Sequence, residues 1–251
     1  MEQRGATVAE VSRRIAVWSG PRNLSSAMMR SFGNRSDMYD VRDEPLYAAY
    51  LALSGKTHPM QEEILAAQPS DWKEVIADCT GSDLPDGMFQ YQKHMSHHML
   101  PEILRDWVYD LNNVFLIRNP RRVVASYANR FETVSLDDLG FRQQAELFDR
   151  IAVHTGTRPP VVDAEEIRAN PEDVLGRLCE AIGIPFEARM LSWAPGPRPG
   201  DGAWAPHWYA SLHKSTGFAP PDQEPGPMST EMEVLADTAK PYYDHMHKHR
   251  I

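Results

Sequence analysis

The stretch that most constrains this chain is its first apolar run, Ile15 to Trp18, together with the loop that follows it, Ser19-Gly20-Pro21-Arg22-Asn23-Leu24-Ser25-Ser26-Ala27-Met28-Met29. Arg14 to Ser19 reads as a short buried strand, and Met28 to Phe32 as the body of a helix. A loop that leaves a strand, turns at a glycine and enters a helix presents successive backbone N–H groups at the positive end of the helix dipole. Such a loop suits phosphate or sulfate. Ser25 and Ser26 add hydroxyls that also suit a helix cap, and Arg22 adds a fixed charge with its donors in a fork. An ordinary capped helix beside a solvated Arg22 would use the same residues, so the loop needs a second observation before it becomes a site.

The rest of the chain repeats the strand-then-helix order. Met88 to His94, Asn113 to Arg118 and Pro160 to Asp163 read as further strands. Pro120 to Arg130, Phe141 to His154 and Pro171 to Ile182 read as helices, the last with proline in its first turn and Gly183 just past its end. Strands separated by helices imply a parallel sheet with helices on both faces, and such sheets bind ligands beyond the carboxyl ends of their strands. One domain is expected over residues 1–251. Within it, residues 194–228 form a proline- and glycine-rich loop region that crosses the surface, and residues 229–248 form a closing helix whose final histidines, His245, His247 and His249, belong to a solvated tail.

Composition narrows the partners. At 42% apolar over 251 residues the chain has enough to bury a substantial core, and its net charge of -9 disfavours nucleic acid or an anionic membrane as a bulk partner. An anionic ligand then needs a local cluster of donors. No run approaches the ~20 apolar residues of a membrane span. The two cysteines, Cys79 and Cys179, lack metal-type spacing and no secretory leader is evident, so a cytoplasmic protein with free thiols is expected.

The nature of the anion follows from comparison with the phosphate loop of nucleotide enzymes, G-x-x-x-x-G-K-[ST]. Gly20 fits its first position, but Ser25 replaces the second glycine, Ser26 the lysine and Ala27 the hydroxyl that holds magnesium. Arg22 supplies the cation instead. A second constellation lies in Phe115 to Tyr127, where Arg118 ends a strand, Asn119-Pro120 turns into a helix and Ser126 lies about two turns in. Arginine plus a helix hydroxyl makes a second anion clamp, although a solvated basic turn would also account for Arg118, Arg121 and Arg122. Two clamps at two strand ends suit one ligand charged at both ends.

These residues resemble the sulfotransferases that use 3′-phosphoadenosine 5′-phosphosulfate. Pro21-Arg22-Asn23-Leu24-Ser25-Ser26 is similar to that family's 5′-phosphosulfate loop, and Arg118, Pro120 and Ser126 match the spacing of its 3′-phosphate motif. His213-Lys214-Ser215-Thr216-Gly217 resembles its late nucleotide-covering loop. Asp43 to Tyr47 (DEPLY) and His97 to Pro101 (HHMLP) are similar to a bacterial branch acting on small molecules. The resemblance implies a P-loop NTPase-like α/β fold and transfer of a sulfuryl group, without a metal, from that donor to a hydroxyl or amine of a small-molecule acceptor. It also implies that Gly20, Pro21, Arg22, Asn23, Leu24, Ser25, Ser26, Arg118, Ser126, Lys214, Ser215, Thr216 and Gly217 hold the donor. A magnesium-dependent small-molecule kinase and a catalytically silent nucleotide binder are the alternatives, the first disfavoured by Ser26 and Ala27.

Two departures from the family matter. The histidine that relatives place before Leu-Pro is displaced here, within Lys93-His94-Met95-Ser96-His97-His98-Met99-Leu100-Pro101, and the tyrosine that relatives set against the adenine is missing from Ala164-Glu165-Glu166-Ile167. Catalytic candidates are therefore Arg22 for charge neutralisation, Lys93, and a base drawn from Glu44, His94, His97 and His98. For Glu44 the alternative is a carboxylate at a helix start. His94, His97 and His98 have the i, i+3, i+4 spacing of a zinc set if helical, but lack the accompanying glutamate or cysteine pair, so no metal is expected. Trp204, His207, Trp208 and Tyr209 suggest an acceptor pocket or lid, or else a surface aromatic cluster. The oligomeric state is not encoded in any visible stripe.

Overall fold

The computed structural model describes residues 13–81, 84–128 and 134–251. The end of the helix expected over Pro120–Arg130 therefore lies outside the described residues. Five strands, β1 (Arg14–Ser19), β2 (Met38–Asp43), β3 (Phe89–Met95), β4 (Asn112–Ile117) and β5 (Val161–Asp163), form one sheet in the order β2-β3-β1-β4-β5. All four pairings are parallel. The expected strands fall within about a residue of these. β2 went unread except for its last residues, because MYDVRD is a partly exposed edge strand with no alternating apolar pattern.

Helices cover both faces. Between β1 and β3 the chain forms α1 (Ser25–Gly33), α2 (Tyr47–Ser54), α3 (Gln61–Ala67) and α4 (Trp72–Gly81). After β4 come α5 (Pro120–Ala128), α6 (Leu136–Leu139) and α7 (Phe141–Thr155). β5 leads into α8 (Ala164–Ala169) and α9 (Pro171–Ala181), a short α10 (Ala205–Trp208) follows, and α11 (Thr230–His247) closes the chain, capped by the Ser229 hydroxyl. Because strand side chains alternate, Ile15, Val17, Val114 and Leu116 face α1, α2 and α9, whereas Ala16, Trp18, Phe115 and Ile117 face α7 and Trp107. This central strand is buried on both sides, as a parallel sheet requires.

Two expectations change. Residues 194–228 are not simply surface loop, since they contain α10 and a 3-10 turn over Leu212–Lys214, and Trp204 is buried. Nor do the last histidines form a solvated tail: His245 Nε2 lies 2.8 Å from Asp149 Oδ1, His249 stacks on Phe148, and Ile251 N donates to Val161 O at the edge of β5. The helix ends within a residue of its expected bounds, and its polar end is held because α7 offers it a surface to pack on.

Gly20 has no room for a side chain. A Cβ there would lie 2.4 Å from Leu139 O, a backbone atom that cannot yield without moving α6. Gly20→Ala is expected to lower stability by about 1–3 kcal/mol, measured by urea denaturation; an unchanged midpoint would show that the loop relaxes freely.

β3 runs into a 3-10 turn, Ser96–His98, and buries His94, His97 and His98. Burial pushes His94 and His97 down to about 3, and burial together with the neighbouring His97 pushes His98 well down. In an unfolded chain all three would protonate near 6.5. Stability from these neutral rings is thus complete above pH ~6.5 and lost as the pH falls towards the folded values, by about 1.4 kcal/mol per pH unit for each ring. Glu44, raised above 4.5 mainly by burial, opposes this between 4.5 and its folded value, one group against three. Unfolding free energy measured at pH 7, 6 and 5 should fall with each step; a flat profile would mean that the rings protonate in place.

Candidate active site

The first loop leaves β1 at Ser19 and enters α1 at Ser25. Arg22 and Leu24 both take left-handed backbone conformations, φ 62° and 69°, which non-glycine residues adopt at some strain. Leu24 holds the N-cap position and supplies no side-chain acceptor, so Ser25 lies within the helix and is not its cap. The helix start thus keeps its positive end for an anion. Asn23 Oδ1 is buried and lacks a partner.

The second loop leaves β4 and enters α5, with Asn119 Oδ1 accepting from Arg121 N at 3.0 Å. Arg118 is buried, donating through Nε to Glu165 Oε1 at 2.9 Å and through Nη2 to Asp222. Its third contact joins the loops: Arg118 Nη1 donates to the carbonyl of Arg22 at 2.7 Å. Reciprocally, Arg22 Nε donates to Ser126 Oγ at 2.9 Å. The two constellations read separately in the sequence therefore meet. Arg122 and Arg168 stand beside them, and Arg168 Nη1 donates to Asp222 Oδ1 at 2.9 Å.

At the opposite end of the site, Lys93 is 1% exposed on β3. Its Nζ donates to Asp43 Oδ1 (2.8 Å), Glu44 Oε1 (2.6 Å) and Tyr209 Oη (2.8 Å). Tyr209 Oη and Gly202 N donate to the other oxygen of Asp43, at 2.7 and 3.1 Å. Burial would lower the Lys93 pKa, but Asp43, Glu44 and Tyr209 reverse this and leave it well above its ordinary value. Burial raises Glu44, and Lys93 offsets this only in part. Glu44 takes φ 45° at the end of β2, and its second oxygen lies 4.0 Å from His98 Nε2. The Nδ1 atoms of His97 and His98 are buried without partners.

A cavity of about 360 Å³ runs between the two ends, lined by Pro21 to Ala27, Glu44, Lys93, His97, His98, Arg118, Ser215 and Gly217. Ser126 lines an adjoining cavity of about 620 Å³ that shares Arg22, Arg118 and Arg168 with the first. Gly20 lies behind the loop and shapes it. Lys214 and Thr216 are exposed and line neither cavity. His94 is also absent from them: strand alternation places it opposite Lys93 and Met95, stacked on Trp18 at 4.3 Å. The three histidines therefore do not converge, and the helical zinc spacing does not arise. Trp204, Trp208 and Tyr209 line the cavity, whereas His207 does not. Sequence reading missed Asp43, Tyr47, His58, Tyr127 and Arg168. Asp43 carried a signal, a carboxylate beside Glu44 at a strand end; Arg168 carried none.

A model of the sulfotransferase domain matches residues 13–250. Two Arabidopsis thaliana proteins, branched-chain-amino-acid aminotransferase-like proteins 2 and 1, are each 35% identical over 94% of this chain. The chain spans 41% and 42% of the length of these relatives. Among solved structures, a sulfotransferase from Alicyclobacillus acidocaldarius superposes with a TM-score of 0.57 at 15% identity, covering 94% of this chain and 96% of its own. The sulfotransferase domain from the Curacin biosynthetic pathway gives 0.51 at 15% identity, covering 90% and 96%. At such identities the two structures share the fold, a five-stranded parallel sheet flanked by helices. With the family match running from the first described residue to the last but one, this chain belongs to the sulfotransferase family, whose chemistry is sulfuryl-group transfer.

Proposed function

We propose that the protein transfers a sulfuryl group from 3′-phosphoadenosine 5′-phosphosulfate to a hydroxyl or amine of a small-molecule acceptor. The observation that carries this reading is the contact between the two anion loops, Arg22 with Ser126 and Arg118 with the Arg22 carbonyl. One ligand with an anionic group at each end of a nucleoside fits a trough built this way. The loop N–H groups at the start of α1 and the Arg22 guanidinium bind the 5′-phosphosulfate and neutralise the leaving phosphate oxygen, while Arg118 and Ser126 hold the 3′-phosphate. Gly20 lets the loop pass against Leu139 O.

The acceptor enters beside Glu44, between Tyr47, Tyr127, Trp204 and Trp208. Its oxygen or nitrogen forms the new bond to sulfur as the bond from sulfur to the phosphate oxygen breaks in line, and Glu44 takes the released proton. Glu44 is a better base than its neighbours because burial raises its affinity for protons, whereas burial drives His97 down to about 3. The neutral rings of His97 and His98 line the cavity beside Glu44, a position that suits orienting the acceptor. Lys93 and Asp43 fix the Glu44 carboxylate.

Adenosine 3′,5′-bisphosphate should raise the melting temperature, with ATP and magnesium having no comparable effect; stabilisation by ATP and magnesium alone would overturn the donor assignment. Glu44→Gln should lower kcat by about 10²- to 10⁴-fold while leaving the bisphosphate Kd unchanged. In the wild type the rate should rise with pH as Glu44 ionises. Full transfer by Glu44→Gln would exclude it as the base.

A further inference from the structure

The loop region splits into two halves held in different ways. Its first half is pinned to the body by buried pairs: Arg30 grips Asp201 through two bonds of 2.5 and 2.7 Å, and Tyr209 is tied to Asp43. Its second half, residues 219–227, is mostly exposed. Arginine side chains around the second anion clamp hold it. Arg168 donates to Pro220 O at 3.0 Å and to Asp222 Oδ1, Arg118 donates to Asp222 Oδ2, and Arg122 donates to Asp222 O at 3.1 Å and Gln223 O at 2.8 Å, and also to Glu224. Arg121 reaches Gly226 O at 3.4 Å. The Asp222 carboxylate thus bridges two guanidiniums, one oxygen to each, in the manner of an anion bound between arginines.

Resting on the donor reading above, we infer that Arg168 is a second arginine of the second anion clamp, beside Arg118, and that Asp222 occupies this clamp as a built-in stand-in for the ligand's 3′-phosphate. The strap 219–227 is then a latch that donor binding releases. Exchange of carboxylate for phosphate is favourable because a dianion with three acceptor oxygens satisfies Arg118 and Arg168 more fully than one carboxylate does. Until it happens, the fraction of molecules with the strap seated is closed to the 3′-phosphate, and apparent affinity falls by the fraction that is open. A ligand lacking the 3′-phosphate has no reason to displace Asp222.

The test compares wild type with Asp222→Asn, an exposed position whose change should not disturb folding, using calorimetry with adenosine 3′,5′-bisphosphate and with adenosine 5′-phosphate. The expected result is that Asp222→Asn binds the bisphosphate about tenfold more tightly and the monophosphate as before, and that Arg168→Ala weakens the bisphosphate selectively. Hydrogen exchange of 219–227 should speed up in wild type saturated with bisphosphate. Unchanged or weakened bisphosphate binding in Asp222→Asn, with wild type binding normally, overturns the latch and leaves the donor assignment standing. An equal gain for both nucleotides also overturns it, because the effect would not lie at the second anion. Failure of every form to bind the bisphosphate overturns the donor assignment and the latch with it.

Discussion

A guanidinium at the buried end of a central strand must be surrounded by acceptors, and Arg118 meets this requirement by reaching out of its own loop. One of its acceptors is the backbone carbonyl of Arg22, on the loop that follows the adjacent strand. This bond, with the reciprocal one from Arg22 Nε to Ser126 Oγ, locks two strand-to-helix crossovers together. Because β1 and β4 are parallel neighbours, their carboxyl ends already lie side by side; the arginine converts that adjacency into a fixed spacing between the two loops. Glu165 and Asp222 complete the shell and keep the charge compensated.

The other end of the trough is organised by the same need applied to an ammonium. Lys93, buried on β3, takes Asp43 and Glu44 from the end of β2 and Tyr209 from the loop region. Removing Lys93 would leave two carboxylates facing one another in the interior. The arrangement therefore holds the loop region against the sheet edge and holds Glu44 in a left-handed conformation that it would not otherwise favour. A carboxylate fixed in this way loses little freedom when a substrate arrives.

The parallel sheet could be read from the sequence because its inner strands are short apolar runs followed at once by helix-start chemistry. Both strand-to-helix loops were legible for the same reason, and Glu44, Lys93, His97 and His98 do share one cavity. What escaped reading depends on tertiary neighbours. β2 has no periodicity because one edge of it is open. His94 could not be separated from His97 until the strand's alternation and the turn at Ser96 set their faces. Lys214 and Thr216 were carried by family resemblance, and the turn over Leu212–Lys214 points them outward while Ser215 and Gly217 line the cavity. Asp222 lay in a proline-rich stretch where one acidic residue looks like any other.

The two cysteines give the sheet a thiol on each side. Cys79 on α4 packs in the layer with Trp18, and Cys179 on α9 packs in the opposite layer with Ile15 and Val17. Burial pushes the first up to about 12 and the second up to about 11, so neither supplies a nucleophilic thiolate while its layer stays closed. Alkylation at each sulfur therefore clocks the opening of its own layer, and the protein carries without any engineering a pair of internal reporters that distinguish breathing of one face of the sheet from breathing of the other.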